Sequence, residues 1–233
     1  NKHNVIYIDF SKADDECESY REYITSIKEI LREDLHEEFP DVKYRQKGTV
    51  SEDLKRIQES TGESFIFVFD EWDYIFHQKY ATESDKIQYV RFLSNLLKDR
   101  AYVELAYMTG ILPIAKYSSG SEMNMFQEYT MSTMHLYATY FGFSDEEVDM
   151  LYARYLDNVS SPKVTRDGLR GWYDGYQVLT GEDAVYLKDH PDAETVVVDG
   201  VKYIVKRMYN PRSVVFALEN NQLADYWTSS GPY

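Results

Sequence analysis

Apolar and polar positions change period several times along this chain. Val5–Phe10 is a short apolar run that ends in Asp9 and Ser11, which predicts a buried strand. Over Asp14–Phe39, residues Tyr20, Tyr23, Ile24, Ile27, Leu31 and Leu35 fall on one stripe at helical spacing, and Pro40 closes the segment. Ser51–Thr61 predicts a short helix capped by Ser51, with Glu52 and Asp53 in its first turn and Gly62 as its stop. Phe65–Phe69 is an unbroken run of aromatic and β-branched residues between polar signals, which suits a central parallel strand. Glu83–Asp99 is amphipathic on Ile87, Val90, Leu93 and Leu97, and Tyr102–Met108 predicts a second buried strand that ends at Thr109-Gly110. Residues 5–109 therefore read strand–helix–helix–strand–helix–strand, the order of a parallel sheet with right-handed crossovers.

Beyond this point the pattern changes. Met134–Tyr140 reads as one more strand. Ser144–Leu156 opens on a capping box, Ser144 with Glu147, and Thr165–Tyr173 is a further helix. Asn210-Pro211 is a cap followed by proline at the first helical position, opening a helix to about Asn220. Between them, Asp199-Gly200 joins two β-rich runs over Thr195–Val205, the signal of a hairpin with a type I′ turn. The fold class is α/β: a parallel sheet with flanking helices over 1–140, then a mainly helical subdomain with one β-hairpin over 141–233.

Composition narrows the function. The 233 residues carry a net charge of −15, which gives nucleic-acid binding no support, because coating a polyanion needs a basic footprint. The longest apolar runs, Phe65–Phe69 and Val214–Leu218, are about a quarter of a ~20-residue membrane span. One cysteine, Cys17, excludes an internal disulfide framework and suits a reducing, cytoplasmic setting. With 22 tyrosines the core must be aromatic, and each buried hydroxyl needs a partner. The chain opens almost directly on a strand and closes without a terminal helix, which predicts a piece of a longer polypeptide.

The most informative segment is Phe65-Ile66-Phe67-Val68-Phe69-Asp70-Glu71-Trp72-Asp73. An apolar strand ending in two adjacent carboxylates is the Walker B arrangement of ATPases. The carboxyl ends of parallel strands border the ligand crevice. Asp70 is placed there to hold hydrated Mg²⁺, and Glu71 to polarise an attacking water. The competing reading makes Asp70 the cap of a short helix with Asp73 in its first turn, and pattern alone leaves it open. Thr109 ends what should be the neighbouring strand, where a hydroxyl can meet a γ-phosphate or the attacking water. None of the 11 glycines precedes a lysine, so the phosphate-cradling G-x-x-x-x-G-K-[ST] loop is absent, and tight ATP binding by this chain alone is not expected. The five histidines show no metal spacing, and His190-Pro191-Asp192 reads as a turn.

The phrases FIFVFDEWDYIF, VRFLSNLLKD, AYMTGILPIAKYSSGSEMNMF, YFGFSDEEVD, GWYDGY and YNPRSVVFAL resemble, in that order, the bacterial AAA-ATPase-like family. The resemblance implies a P-loop ATPase core, usually followed in one polypeptide by a PD-(D/E)XK nuclease-like domain. It implies Asp70 as metal ligand and Glu71 as catalytic base, with Thr109 at the sensor position. It also implies a helical lid containing Asn210-Pro211-Arg212, where Arg212 would meet phosphate. The cofactors so implied are ATP and Mg²⁺. The implied partners are a P-loop segment upstream and the nuclease-like domain downstream. Residues 183–206 look like an insertion, a recognition element or a decoration. A sheet edge left open by the absent P-loop segment would favour a homo-oligomer. A second reading makes the chain a degenerate, non-hydrolysing ATPase fold that acts as a protein-interaction module. A third, a nucleic-acid-linked defence role, rests on the family's nuclease partner alone.

Overall fold

A computed structural model of the chain describes residues 3–13, 17–117, 123–129, 137–181 and 184–228. They divide into two compact units, Asn1–Glu128 and Tyr129–Tyr233.

In the first unit, β1 (Asn4–Asp9), β2 (Phe65–Asp70) and β3 (Val103–Met108) form a parallel sheet in the order β1-β2-β3. Helices α1 (Tyr20–Glu38) and α2 (Val50–Thr61) connect β1 to β2, α3 (Glu83–Leu97) connects β2 to β3, and α4 (Ile114–Tyr117) follows. When strand order follows chain order, right-handed crossovers put every connecting helix on one face. That face holds the core: Ile8, Phe65, Phe67 and Phe69 pack with Leu31, Leu54, Ile57, Tyr89 and Leu93. The opposite face carries Val5 and Tyr7 of β1, Ile66 and Val68 of β2, and Leu105 and Tyr107 of β3, in lateral register. Val5, Tyr7, Leu105 and Tyr107 are each more than half exposed. Two sequence expectations are corrected here: β1 and β3 are outer strands buried on one face only, and β2 alone has the central position its composition called for.

Helix boundaries also move, for local reasons. Residues 14–16 lie outside the described set, and α1 begins at Tyr20 because the Ser19 side chain accepts the Glu22 N–H. In α2 the cap is Thr49 rather than Ser51, with Glu52 closing a capping box back onto the Thr49 N–H. Gly62 stops α2 in the left-handed conformation, φ 74°. Asp53 does not sit at the surface facing the helix dipole. It is buried, and its Oδ2 accepts from Arg32 Nε and lies 2.8 Å from His36 Nε2, tying α2 to α1. On α3 the buried stripe is Tyr89, Val90, Leu93, Leu96 and Leu97, and Ile87 is half exposed. The aromatic core satisfies its hydroxyls: Tyr23 donates to the Phe10 carbonyl, Tyr89 to Trp72 and Tyr102 to Leu96.

The second unit packs α5 (Asp145–Asn158), α6 (Arg166–Tyr173) and α8 (Pro211–Glu219) around Val148, Leu169, Tyr173, Tyr209, Val214 and Ala217. Its antiparallel sheet has the order β4-β6-β5, from β4 (Asp174–Gly181), β5 (Thr195–Val198) and β6 (Val201–Tyr209), and α7 (Ala184–Asp189) lies between β4 and β5 in sequence. The hairpin expected over Thr195–Val205 is present, but β6 runs on to Tyr209 and pairs with β4, a strand the sequence pattern did not suggest. Within Met134–Tyr140, residues 134–136 lie outside the described set, and Ala138–Tyr140 is a short 3-10 helix rather than a strand. The capping box at Ser144 and the Asn210 cap form as their residue types dictate.

Candidate functional site

The candidate site lies on the carboxyl rim of the parallel sheet. Register aligns Asp9 at the end of β1 with Asp70 at the end of β2. On the other side Phe69 pairs with Met108, which brings Thr109 beside Asp70. Two backbone bonds prolong this pairing past the strand ends: Thr109 N–H donates to the Phe69 carbonyl at 2.8 Å, and Trp72 N–H to the Thr109 carbonyl at 3.0 Å. The Thr109 hydroxyl then donates to Asp70 Oδ1, which also accepts the Glu71 N–H at 3.1 Å. Asp70 caps no helix.

Glu71 sits with φ 52°, in the left-handed region that costs a non-glycine residue about 1 kcal/mol or more. That turn lifts its side chain out of the strand's alternation and leaves it exposed at the rim. Partial burial, then the negative charges of Asp73, Asp70 and Asp9, push the Glu71 carboxyl above its ordinary value. Asp9 goes the other way. Its Oδ1 accepts from the Ser11 hydroxyl at 2.6 Å and the Ser11 N–H at 3.1 Å, and Lys12 Nζ lies 2.9 Å from Oδ2. Those contacts, Ser11 first and Lys12 next, hold its carboxyl below the usual range.

Asp73 is the residue that sequence reasoning misplaced. It precedes a 3-10 helix, Tyr74–His77, yet makes no side-chain cap there. It is buried, and its Oδ2 accepts the N–H groups of Ile111 (3.1 Å) and Leu112 (2.8 Å), pinning the turn that leaves β3. Gly110 makes this approach possible: a Cβ there would lie 2.4 Å from Trp72 Cδ1 and 2.6 Å from Asp73 Oδ1. The third acid of the Asp70–Asp73 segment thus positions the loop that carries Thr109. The D-E-x-D spacing alone could not reveal this, because the partners are backbone groups about 38 residues away. Asp9 and Ser11 were visible as a strand end, but only the register set them next to Asp70.

Asp70, Glu71 and Thr109 therefore come together. Arg212 belongs to the second unit, at the start of α8, where its guanidinium lies over the Phe216 ring at 5.0 Å. Among the described residues no group of three His, Cys, Asp or Glu side chains is arranged to enclose a metal ion. The rim offers single carboxylates, which match the habit of Mg²⁺ to keep its waters and bind through one or two carboxylates and substrate phosphates.

The family model AAA-ATPase_like, described as a predicted AAA-ATPase, matches residues 1–119. The chain belongs to the AAA-ATPase-like family. In this AAA-ATPase-like chain the matched residues contain the whole parallel sheet with Asp70, Glu71 and Thr109, and Arg212 falls outside them. No curated protein and no solved structure matches the chain. No helix among the described residues is long and apolar enough to cross a membrane.

Proposed function

We propose that this chain supplies the Walker B and sensor parts of an ATPase, together with a lid, and that it hydrolyses ATP when a phosphate-binding loop of the same polypeptide completes the site. The observation that carries the reading is the Asp70–Thr109 hydrogen bond at the rim, with Glu71 turned outward beside it. Asp70 is the carboxylate that would hold Mg²⁺, since its Oδ1 takes the bonds from Thr109 and Glu71 and among the described residues no donor is bonded to its Oδ2. The bound ion would supply charge neutralisation to the phosphates. Glu71 takes a proton from the attacking water, and its raised carboxyl pKa brings it closer to the range in which a base works well. Thr109 gives its one hydroxyl proton to Asp70 in this state, and as the sensor it would turn that proton to the γ-phosphate once nucleotide is bound. Arg212 is assigned to phosphate from the lid. The apolar sheet face bearing Tyr7, Leu105 and Tyr107 supports a missing layer, which we assign to the segment carrying the P-loop; a nuclease-like domain is the proposed downstream partner.

In the complete polypeptide, Glu71→Gln is expected to bind ATP and lose hydrolysis at least about a hundredfold, the scale of general-base catalysis. Full hydrolysis in that variant would refute the role of Glu71. The same uncovered face, with no Gly-Lys pair in the sequence, also favours a second reading, a non-hydrolysing interaction module. Phosphate release separates the two, because the complete polypeptide with Mg²⁺ turns ATP over only if the first reading holds.

A further inference from the structure

The second unit leaves one sheet edge open, and its chemistry points to a particular kind of occupant. β5 is the outer strand of β4-β6-β5, and among the described residues no strand pairs with its far side. Its ladder with β6 fixes which groups are free. Val198 and Val201 flank the two-residue turn, Val196 lies opposite Tyr203, and the Val205 N–H donates to the Glu194 carbonyl. Alternation in an antiparallel ladder then directs the N–H and C=O groups of Thr195 and Val197 away from β6, toward the open side.

Outer strands are normally blunted by lysine, proline or a bulge. β5 reads Thr-Val-Val-Val, carries none of these, and exposes all four side chains, Val197 to 66%. The turn beside it has the backbone that a type I′ turn demands, with Asp199 at φ 49° and Gly200 at φ 79°. The strand is therefore presented ready-made. Its ends are acidic: Glu194 precedes it, Asp199 follows it, and both are exposed. The bases of β6 are engaged elsewhere or lie one strand further in. Arg207 pairs with Asp174, Lys206 sits over the Tyr186 ring, and Lys202 lies across the ladder from Val197.

Those two acids argue against a second copy of this chain as occupant. Antiparallel pairing of β5 with itself through the outward groups of Thr195 and Val197 sets those two residues opposite each other, or Val197 opposite itself, which leaves Glu194 one position from Asp199 of the other copy, twice. Parallel pairing needs an offset of one residue and sets each acid one position from its own counterpart. Like charges across a strand pair are unfavourable, and the chain's net charge of −15 adds to the repulsion. We infer that the β5 edge docks an extended segment of a different protein by strand addition, with β-branched residues against Thr195–Val198 and a lysine or arginine facing each of Glu194 and Asp199.

The probe is a blocked peptide, Ser-Lys-Val-Thr-Val-Thr-Lys-Ser, titrated into the whole chain while amide hydrogen exchange is followed by residue. Exchange at Thr195 and Val197 should slow on binding, while Val196 and Val198, already bonded to β6, change little. A control peptide with glutamates in place of both lysines should give no protection. The double variant Glu194→Gln, Asp199→Asn should bind the lysine peptide about tenfold more weakly, the sum expected of two rim charges. Val197→Pro removes only an outward donor, so it should abolish binding while protection along β4 and β6 persists. The inference is overturned if the lysine peptide protects neither residue or if both peptides protect equally. It is also overturned if the chain forms a dimer that Val197→Pro disperses, which would make a second copy the occupant.

Discussion

Gly110, Asp73 and Glu71 carry the geometry of the rim, each by a different physical means. Gly110 does so through an absent side chain. Its neighbours are the Trp72 indole and the Asp73 carboxylate, both buried and unable to retreat. Gly110→Ala is therefore expected to cost about 1–3 kcal/mol, the range for overpacking, read as a lower urea midpoint for the chain. Glu71 yields a prediction in pH. Its folded-state carboxyl lies above the ordinary 4.5, so the folded chain holds that proton more tightly than the unfolded one. The resulting stability is fully present below the unfolded value and is lost as pH rises through the folded value. Glu71→Gln should flatten the fall in stability over that interval, which a series of urea titrations between pH 4 and 7 would register. A fall of the same steepness in the variant would place the titration on another group. At this scale the sequence was legible where chemistry is local. Asp70 and Glu71 stand out as two acids ending an apolar run, and Thr109 as a hydroxyl ending another. Asp73 was not legible, because its role is to accept two backbone donors that only the folded turn presents.

Elements were legible in kind more than in extent. Caps show why. Ser144 with Glu147 and Asn210 with Pro211 act as their residue types require, but the cap expected at Ser51 for α2 falls to Thr49, two residues earlier. The structure selects Thr49, whose spacing to Glu52 closes both bonds of the capping box, whereas Ser51 reaches the Asn95 carbonyl at 3.5 Å. Thr49→Ala should lower stability by about 1 kcal/mol and Ser51→Ala by much less, compared by thermal unfolding monitored by circular dichroism. Strand β4 went unseen because Asp174–Gly181 alternates poorly and contains glycine at both Gly175 and Gly181. It is held as a strand by its partner β6 rather than by its own preference. The Arg166 guanidinium shows the same dependence on folding. It is shared among Asp145, Asp149 and the Tyr209 hydroxyl, which gathers α5, α6 and β6 at one point, and no spacing in the chain announces it.

At the scale of the whole molecule the consequential fact is the face of the first unit's sheet that its own connecting helices leave uncovered. Three parallel strands in chain order send all their crossovers to one side, so the other side keeps an apolar surface that a single chain of this topology cannot cover with its own connections. Patches of this kind drive association. Leu105→Lys with Tyr107→Lys, both at exposed positions, should reduce concentration-dependent self-association of the chain in sedimentation velocity while leaving its unfolding midpoint nearly unchanged. Unaltered association would locate the contact elsewhere.

Residue order alone determined the alternation of strands and helices, the parallel character of the first sheet, the two acids at the end of β2 and the type I′ turn after β5. Those features follow from periodicity, side-chain size and backbone freedom, which act over a few residues. Tertiary structure decided which strands lie outermost, which face of the sheet stays uncovered, that Thr109 rather than a helix end binds Asp70, and that Asp73 serves a turn far along the chain. These depend on register and crossover hand, and residues remote in sequence acquire them only when the sheet assembles.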